Sequence, residues 1–458
     1  MKIKALSRSS EFYERPSTSD VSRTFTNTDR ELHPMSRAVE YQRAVRATKL
    51  DRTFAKPFVC AMSDHTGAVT ALCRPPASGT QGAAGVATAL SGSSSGEVLL
   101  WDVGGRRVTR SYVGHKGEVT GVRIAPHGEL AVSVGTDKTA NLWRLTAPSL
   151  NEPGSATREA TPLKTYVGDY ALRSVDHHAS KAMFLTTGAR VEVWEHARSE
   201  PVTSFTWGAE TINSVRFNPT EREVFVTTGS DRGIVLYDLR TSTPIRKLVM
   251  QTRTNAVAWN PMEAFNFTAA SEDSNCYSYD MRKLGIATCI HRDHVSAVMD
   301  IDYSPVGREF VTGSYDRSVR LFAYNGGRSR DVYHTKRMQR VFSVAFTVDG
   351  SYVMSGSDDM NVRVWKANAS EQTGVVLPRE RKKAAYNSAL LERYKHMPEV
   401  KRIARHRHVP KSIYKAAKLR VTMSDAERRK QKNREAHSAP GQIKRVPARK
   451  KKVIKEME

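Results

Sequence analysis

A short pattern of alternating apolar and polar residues recurs along the chain, each time after a turn of small polar residues. It is clearest in SGSDDMNVRVW, Ser355–Trp365, where Val362 and Val364 fall on one side of a strand and Arg363 and Trp365 on the other. The pattern closes on an aromatic residue seven times, with spacings of 42, 51, 43, 42, 43 and 43 residues, at Trp101, Trp143, Trp194, Tyr237, Tyr279, Phe322 and Trp365. The chain therefore carries a sevenfold repeat.

A period of about 40 to 45 residues with a closing aromatic residue indicates a propeller blade of four short strands. A tight turn six residues before the aromatic residue favours aspartate, which five repeats provide as Asp137, Asp231, Asp273, Asp316 and Asp359. His115 and Ser133 join Asp137 and Trp143 in a set that can hydrogen-bond inside one blade. A hydrolase triad is the alternative for the His, Ser and Asp residues. Because the pattern recurs and a triad is needed once, the structural role is favoured.

This arrangement resembles the WD-repeat family, in which a His-Ser-Asp-Trp network braces each blade. The resemblance implies an all-β fold, a seven-bladed WD-repeat β-propeller, over residues 57–370, with structural roles for Trp143 and Trp365. The apolar run Pro57–Met62 lies at the right distance to pair with the last blade. Such pairing would remove both edges of the ring.

The N-terminal extension, residues 1–56, is predicted to contain one helix near residues 35–50. Ala38, Tyr41, Val45 and Thr48 follow helical spacing there, whereas residues 1–30 are polar and are expected to be irregular. The helix is interpreted either as a clasp against the ring or as a contact for another protein.

The C-terminal extension, residues 371–458, is predicted to be mainly helical with a disordered end. Pro398 and Pro410 stand where new helices can start. The capping box SDAE, Ser424–Glu427, is expected to open a further helix. These helices have few large apolar residues, so they are expected to lie on another surface.

Positive charge is concentrated in the two extensions. The net charge is +25; residues 371–458 hold 26 Lys and Arg against 9 Asp and Glu, and residues 1–56 hold 12 against 7. This distribution is typical of an arm that binds a polyanion.

No enzyme class is indicated by the remaining chemistry. The sequence has no nucleotide-binding glycine loop and no unique acid-base pair, so we expect no enzymatic activity, cofactor or small-molecule substrate. The amino terminus lacks an apolar signal core and no run of eighteen apolar residues occurs, so we expect neither secretion nor membrane insertion. Neither metal nor disulfide spacing joins the four cysteines, Cys60, Cys73, Cys276 and Cys289.

Blades four and five end in YDLR and YDMR, which the other blades lack. Asp238 with Arg240, and Asp280 with Arg282, are close enough to pair and leave guanidinium donors for a partner. The phrase resembles the motif by which WD-repeat substrate receptors dock on the adaptor of cullin-type ubiquitin ligases. An ion pair at the rim of a blade is the alternative.

Two segments, ELHPMSRAVEYQRAVRATKLDRTFAKPFV and RYKHMPEVKRIARHRHVPKSIYKAAK, resemble the Sof family of nucleolar WD-repeat proteins, and the likeness runs from MKIKALSR to about residue 420. The resemblance implies a non-enzymatic scaffold of the small-subunit processome, associated with the U-three small nucleolar RNA and needed for pre-rRNA processing. It implies location in the nucleolus and nucleus, and partners among processome proteins and pre-ribosomal RNA. For animal members it also implies a role as receptors for a cullin ubiquitin ligase.

The physical interpretation of the tail agrees with an RNA-binding role. Cations can neutralise phosphates, while His and Tyr side chains can stack on or bond with exposed bases. The predicted RNA or partner contacts are Arg402, Arg405, His406, Arg407, His408, Lys411, Tyr414, Lys415, Lys418 and Arg420. Acidic protein surfaces are the alternative ligand. A metal site at the HxH pair is not expected because a third ligand is lacking, and KRVPARKKK, Lys444–Lys452, is predicted to be an import signal.

Overall fold

The computed structural model describes the chain from residue 27 to residue 457, apart from residues 28, 30, 77–87, 146–160, 207–210, 242, 372–373, 440–441 and 444–445. The segment expected to be irregular, residues 1–30, lies almost wholly outside the described residues, as does the start of the predicted import signal. The chain divides into two compact units, Phe58–Ala367 with His408–Glu458, and Met1–Pro57 with Asn368–Arg407.

The larger unit holds seven antiparallel sheets, one for each predicted blade. In chain order the strands are β1 (Phe58–Met62), β2 (Val69–Cys73), β3 (Thr88–Ser93), β4 (Glu97–Asp102), β5 (Arg107–Val113), β6 (Val119–Ile124), β7 (Leu130–Gly135), β8 (Thr139–Arg144), β9 (Lys164–Val167), β10 (Ser174–His177), β11 (Met183–Thr187), β12 (Val191–Glu195), β13 (Thr203–Phe205), β14 (Ile212–Phe217) and β15 (Val224–Gly229). They continue as β16 (Gly233–Asp238), β17 (Pro244–Met250), β18 (Thr254–Trp259), β19 (Asn266–Ser271), β20 (Cys276–Asp280), β21 (Cys289–His291), β22 (Val298–Tyr303), β23 (Glu309–Ser314), β24 (Val319–Ala323), β25 (Ser329–Tyr333), β26 (Val341–Phe346), β27 (Tyr352–Ser357), β28 (Val362–Lys366) and β29 (Val453–Met457). Blades 1 to 6 take four consecutive strands each from β2 to β25, and β26–β28 begin blade 7.

The ring closes as the sequence predicts. Strand β1 pairs antiparallel with β28, so that Met62 faces Val362 and Cys60 faces Val364. Met62 is 4% exposed and packs in one apolar cluster with Val69 of blade 1 and Val362 of blade 7. The first strands of neighbouring blades contact one another around the ring, β2 against β26 included. The seven-bladed propeller is therefore confirmed.

The repeated aspartates lie in turns that require an unusual backbone conformation. The residue after each aspartate has a positive φ, between 62° and 67°, at Lys138, Arg232, Ser274, Arg317 and Met360. An Asp side chain stabilises such a turn by bonding the backbone two residues ahead, as Asp231 does with the Gly233 N–H at 3.0 Å. In blade 1 the same position is Gly96, with φ of 90°, after Ser95. Glycine adopts that conformation without steric cost.

The predicted network of blade 2 is a chain of hydrogen bonds. The Trp143 indole N–H donates to Ser133 Oγ at 2.8 Å, and Ser133 Oγ lies 2.7 Å from His115 Nε2. His115 Nδ1 lies 3.1 Å from Asp137 Oδ2, which assigns the ring proton to Nδ1 and makes Nε2 the acceptor. Because every polar group has a partner inside the blade, the set braces β6–β8 and has the form expected of a structural element.

Other blades vary this network. In blade 6, His294 bonds Asp316 at 2.9 Å and Thr312 at 2.7 Å. The aspartates of blades 4, 5 and 7 take other partners, namely Lys247 Nζ for Asp231, the Tyr277 hydroxyl for Asp273 and the guanidinium of Arg363 for Asp359. Trp365 donates to Ser355 at 2.8 Å. The five aspartates therefore share a place in the fold, but only Asp137 and Asp316 bond a histidine.

His291 gives the ring a pH-dependent stability. The side chain is 1% exposed; Nδ1 lies 2.6 Å from the Gly326 carbonyl and Nε2 lies 2.9 Å from Ser278 Oγ, so the neutral ring satisfies both atoms. Burial lowers the pKa of His291 to about 4. In the unfolded chain the pKa of histidine is about 6.5. Between these values the unfolded state binds a proton that the folded state does not, so stability is lost as the pH falls through this window.

His291→Gln is therefore expected to flatten the pH dependence of unfolding by about one proton, or about 1.4 kcal/mol per pH unit. Urea unfolding at several pH values between the two pKa values measures this slope. His127→Gln is the matched control, because His127 is exposed. An unchanged slope for His291→Gln would contradict the assignment.

The smaller unit is a set of three helices from both extensions. Helix α1 (Ser36–Thr53) packs against α2 (Pro378–Tyr394) and α3 (Pro398–Arg405). Their shared core consists of Ala44, Leu390 and Val400, all at most 5% exposed. The Glu40 carboxylate accepts hydrogen bonds from Arg393 at 3.0 Å and Tyr394 at 2.9 Å. The sequence allows α1 to be a clasp on the ring or a contact for another protein. The structure adds a third role, because α1 packs against α2 and α3 of the same chain.

The predicted disordered end is wrong for residues 453–457. Strand β29 adds a fifth strand to blade 4 by pairing antiparallel with β17, with Leu248 opposite Glu456 and Lys247 opposite Met457. The outer edge of β17 offers unpaired backbone groups, which an extended segment can satisfy. Val453 packs against the apolar cluster between blades 4 and 5.

The predicted helix start at Ser424 is also wrong. Helix α4 runs unbroken from Lys411 to Ala436, so Ser424 lies in its interior. A capping box matters only where backbone N–H groups lack helical partners. No Gly or Pro interrupts these residues, and the preceding turns already provide the carbonyl acceptors. The predicted starts at Pro398 and Pro410 are confirmed, since α3 begins at Pro398 and Pro410 is the N-cap of α4.

Candidate nucleic-acid and protein interfaces

Helix α3 carries two of the predicted RNA-binding cations on its outer surface. Pro398 at the first helical position fixes the backbone for the first turn, and the helix ends where His406 becomes extended. Val400 is buried in the three-helix core, while Arg402 and Arg405 are exposed. Both guanidinium groups are therefore accessible to a polyanion.

Arg407 is used inside the protein. Its Nη1 donates to the carbonyls of Ala404 and His406, at 2.5 and 3.1 Å. These bonds satisfy carbonyls left without partners at the end of α3. The structure thus gives this predicted RNA contact a role in ending the helix.

Helix α4 carries the second group of predicted contacts. In its first turn Ile413 is buried at 6% exposure, whereas Tyr414 is 63% exposed. Lys411, Lys415 and Lys418 are exposed as well. α3 and α4 belong to different compact units, with the boundary after Arg407, so a single surface made by both groups stays a prediction.

Arg420 binds the ring through several hydrogen bonds at once. Its guanidinium donates to the His294 carbonyl at 2.8 Å, to Asn275 Oδ1 at 3.2 Å and to the Asp273 carbonyl at 3.3 Å, and it also reaches Ser274 Oγ. Asp273–Asn275 is the positive-φ turn of blade 5. Arg420 therefore fastens α4 to blades 5 and 6, a role that its position in a basic run did not reveal.

The two histidines of the HxH pair are exposed and do not converge on a metal site. The His408 ring lies 5.9 Å from the ring of His334, and His406 is exposed at the end of α3. Among the described residues, no group of three or more His, Cys, Asp or Glu side chains could hold a metal ion. No helix in the described part of the chain has the length and apolar composition needed to cross a bilayer.

The Asp-x-Arg phrase of blade 4 forms a two-point ion pair. Arg240 Nε and Nη2 donate to the two carboxylate oxygens of Asp238 at 3.1 and 2.9 Å, and the backbone N–H of Arg240 adds a third bond at 3.0 Å. The Arg240 hydrogen bond lowers the pKa of Asp238. The Arg240 side chain is 71% exposed. The aspartate therefore holds the guanidinium in a fixed orientation toward solvent.

Blade 5 repeats this geometry and adds an aromatic support. Arg282 Nε and Nη2 lie 3.1 and 3.0 Å from the Asp280 oxygens, and the Arg282 side chain is 62% exposed. Its guanidinium carbon lies 4.3 Å from the centre of the Phe265 ring. The predicted pairs are thus present in both blades, with each arginine presented at a blade rim.

Sequence reasoning missed the residues that tie the C-terminus to this rim. Arg246 on β17 donates to the Arg282 carbonyl at 2.6 Å and lies 3.5 Å from Glu456 Oε1 on β29. The alternation of Val453, Lys455 and Met457 with Ile454 and Glu456 was the available signal. The adjoining lysine run concealed it.

Comparisons with known proteins show which family the chain is related to. A Sof1-like domain matches residues 367–453, and WD domain, G-beta repeat matches cover residues 106–144, 287–322 and 331–366. The protein named DDB1- and CUL4-associated factor 13 is 45% identical over 454 residues in both Xenopus laevis and Homo sapiens, covering 99% of this chain and 99% of each relative. Protein SOF1 of Saccharomyces cerevisiae is 42% identical over 452 residues, covering 95% of this chain and 91% of that protein. This chain belongs to the Sof1-like family.

The Sof1-like match covers much of the C-terminal extension, which includes one of the two segments that resemble the Sof family. The Sof1-like match begins at Ala367 next to the last propeller strand and ends at Val453, the first residue of β29. It therefore spans α2, α3 and α4, and the last two of these helices hold most of the predicted RNA contacts. The names of the vertebrate members refer to association with DDB1 and CUL4.

Proposed function

We propose that this protein is a non-enzymatic scaffold component of the small-subunit processome, acting in pre-rRNA processing and small ribosomal subunit biogenesis in the nucleolus. Its partners are processome proteins together with pre-ribosomal RNA and the U-three small nucleolar RNA. Membership of the Sof1-like family supports this role. The single structural observation that carries it is the exposure of Arg402, Arg405, Lys411, Lys415 and Lys418 on helices of the Sof1-like segment.

The ring and the tail serve different parts of this role. The propeller is a rigid body that offers faces and blade rims for protein contacts, and the exposed cations neutralise phosphates. Arg407 and Arg420 position helices α3 and α4 through bonds within the chain. The RNA contacts we propose are therefore a subset of the basic residues of the tail.

RNA recovered after crosslinking tests the proposal. The full chain, tagged at its amino terminus because β29 occupies the other end, is crosslinked in cells and purified from nuclear extract. We expect small-subunit precursor RNA and its guide RNA from the wild-type protein. We expect most of this RNA to be lost when Arg402, Arg405, Lys411, Lys415 and Lys418 are changed to Gln. Absence of these RNAs from the wild-type sample would reject the proposal. Their retention by the variant would mean that the protein joins the particle through protein contacts.

A second role, as a substrate receptor of a cullin-type ubiquitin ligase, is favoured by one specific observation. Asp238 and Asp280 each hold an exposed arginine at a blade rim through two-point pairs. The names of the vertebrate relatives support this role as well. Loss of adaptor recovery from a double Arg240→Ala, Arg282→Ala variant would support it.

A further inference from the structure

Helix α4 extends well past its attachment to the ring. Its 26 residues make a helix about 39 Å long, and beyond Arg420 most of its side chains are exposed. The segment Arg428–Arg434, here called the distal segment, has the sequence RRKQKNR and contains no acidic residue. All of its cations are exposed, namely Arg428, Arg429, Lys430, Lys432 and Arg434. None of them was among the predicted RNA contacts.

The distal segment belongs to a stretch that the ring holds at both ends. At the start, Arg420 donates to the carbonyl of Asp273 at 3.3 Å. At the end, the Lys452 carbonyl accepts from the Gln251 N–H at 3.0 Å, the Lys451 carbonyl accepts from Gln251 Nε2 at 2.9 Å, and Lys452 Nζ lies 3.9 Å from Asp273 Oδ2. Both attachments meet at the turn of blade 5. The helix is therefore ordered before any ligand binds, which lowers the entropy lost on binding.

The cations surround the helix and do not form a stripe. At about 100° per residue, Arg428, Lys432 and Arg429 fall within about 100° of one another, while Lys430 and Arg434 point to the opposite side. A flat acidic surface would reach only one of these groups. A groove with anions along both walls would reach both.

Three acidic residues flank the distal segment, Asp425, Glu427 and Glu435, and its five cations outnumber them by two. Asp425 lies 3.6 Å from Arg428, and Glu435 accepts from Gln431 Nε2 at 3.4 Å. Both contacts are exposed and contribute little. Three of the five cations are arginines, whose planar donors match phosphate oxygens in pairs.

We propose that the distal segment binds the phosphate backbone of double-helical RNA, lying along the mouth of a groove with phosphates on both sides. A helix about 10 Å wide is too broad to enter the deep, narrow groove of A-form RNA, but the phosphates of the two strands border its mouth and face opposite sides of the helix. The inference rests on the proposed function, since it requires RNA as the ligand, and it deepens that function by naming the element and the form of RNA that it contacts. Contact with phosphates makes the recognition one of shape and charge, without base reading.

The test measures binding of the full chain to a stem of fully paired RNA, and to one of its strands, over a series of salt concentrations. One variant changes the five cations of the distal segment to Gln, a residue that keeps helix propensity. Because this variant leaves about five phosphates without a cation, we expect the slope of log affinity against log salt for the duplex to fall in magnitude by about 4.5. A control variant with the same change in charge replaces five exposed cations of the ring by Gln, namely Lys116, Lys138, Arg144, Lys283 and Arg308. It is expected to keep the wild-type slope.

Arg420→Ala separates positioning from contact. Because Arg420 holds α4 on the ring, we expect weaker duplex binding with the same salt slope as the wild-type protein. Circular dichroism confirms that each variant is folded.

Three outcomes would overturn the inference. One is an unchanged salt slope for the variant with Gln at the five cations of the distal segment. In that case, loss of RNA binding when Arg402, Arg405, Lys411, Lys415 and Lys418 are changed to Gln would still support the proposed function. Another is binding of the single strand with no binding of the duplex, which also spares the proposed function. The last is binding of polyglutamate in place of either RNA, which would assign an acidic protein partner and reject RNA contact altogether.

Discussion

The Met62→Asp variant is expected to unfold at a much lower urea concentration than the wild-type protein, with a loss of about 4 kcal/mol. Met62 is 4% exposed in the apolar cluster where blade 7 meets blade 1, and it faces Val362 across the pair of strands that closes the ring. A carboxylate there is surrounded by the apolar side chains of this cluster and loses its hydration, a change that typically costs several kcal/mol. Equilibrium unfolding and limited proteolysis of β1 measure the effect.

Ala61→Asp is the matched control for this variant. Ala61 is the adjacent residue of β1, but it lies on the exposed side of the strand opposite Arg363. The same new charge is therefore expected to change stability by less than about 1 kcal/mol. Equal losses for the two variants would mean that the closing strand contributes little to the ring.

Reversing the charge of the exposed tail residues is expected to stop maturation of small-subunit ribosomal RNA. In cells whose own copy is depleted, Arg402, Arg405, Lys411, Lys415 and Lys418 are all changed to Glu. All five are exposed, so the folded units are retained while attraction to phosphates becomes repulsion. Precursor and mature ribosomal RNA, quantified by hybridisation, measure the loss.

The double variant Arg240→Ala, Arg282→Ala is the comparison that separates the two proposed roles. It removes both rim guanidinium groups, which are 71% and 62% exposed, and leaves the tail unchanged. We expect normal ribosomal RNA maturation from it. Failure of maturation in this variant alone would reverse the order of the two roles.

The ring could be predicted because its signal is repeated. Each blade supplies the same alternation, turn and closing aromatic residue, so single departures do not hide the period. One departure did hide a residue. His65 lies 2.5 Å from Ser91 Oγ, which also accepts the Trp101 N–H at 2.6 Å, so blade 1 has the network without its aspartate. His65 precedes Trp101 by 36 residues, whereas His115 precedes Trp143 by 28, so the period of the repeat does not reveal it.

The tail was less predictable because contacts decide its structure. The sequence at Ser424 has the pattern of a capping box, yet Ser424 lies in the interior of α4, which begins at Lys411. Residues 453–457 have strand alternation, but only the free edge of β17 gives that pattern a partner. Arg420 and Arg402 have similar sequence surroundings, and only the fold distinguishes the arginine that fastens a helix from the one that faces solvent.

Strands β1 and β29 pair with strands that lie far away in the sequence, so the sheets that contain them can form fully only late in synthesis. Strand β1 is made early but cannot pair until β28 has been synthesised. The outer edge of β17 in blade 4 stays unpaired until β29 is made, about 200 residues later. At typical rates of translation this second interval lasts about 10 to 40 s. Leu248 and Met250 of β17, both fully buried in the finished protein, border an open sheet edge for that time. A ribosome that stalls before Val453 therefore leaves a chain with a ready template for aggregation.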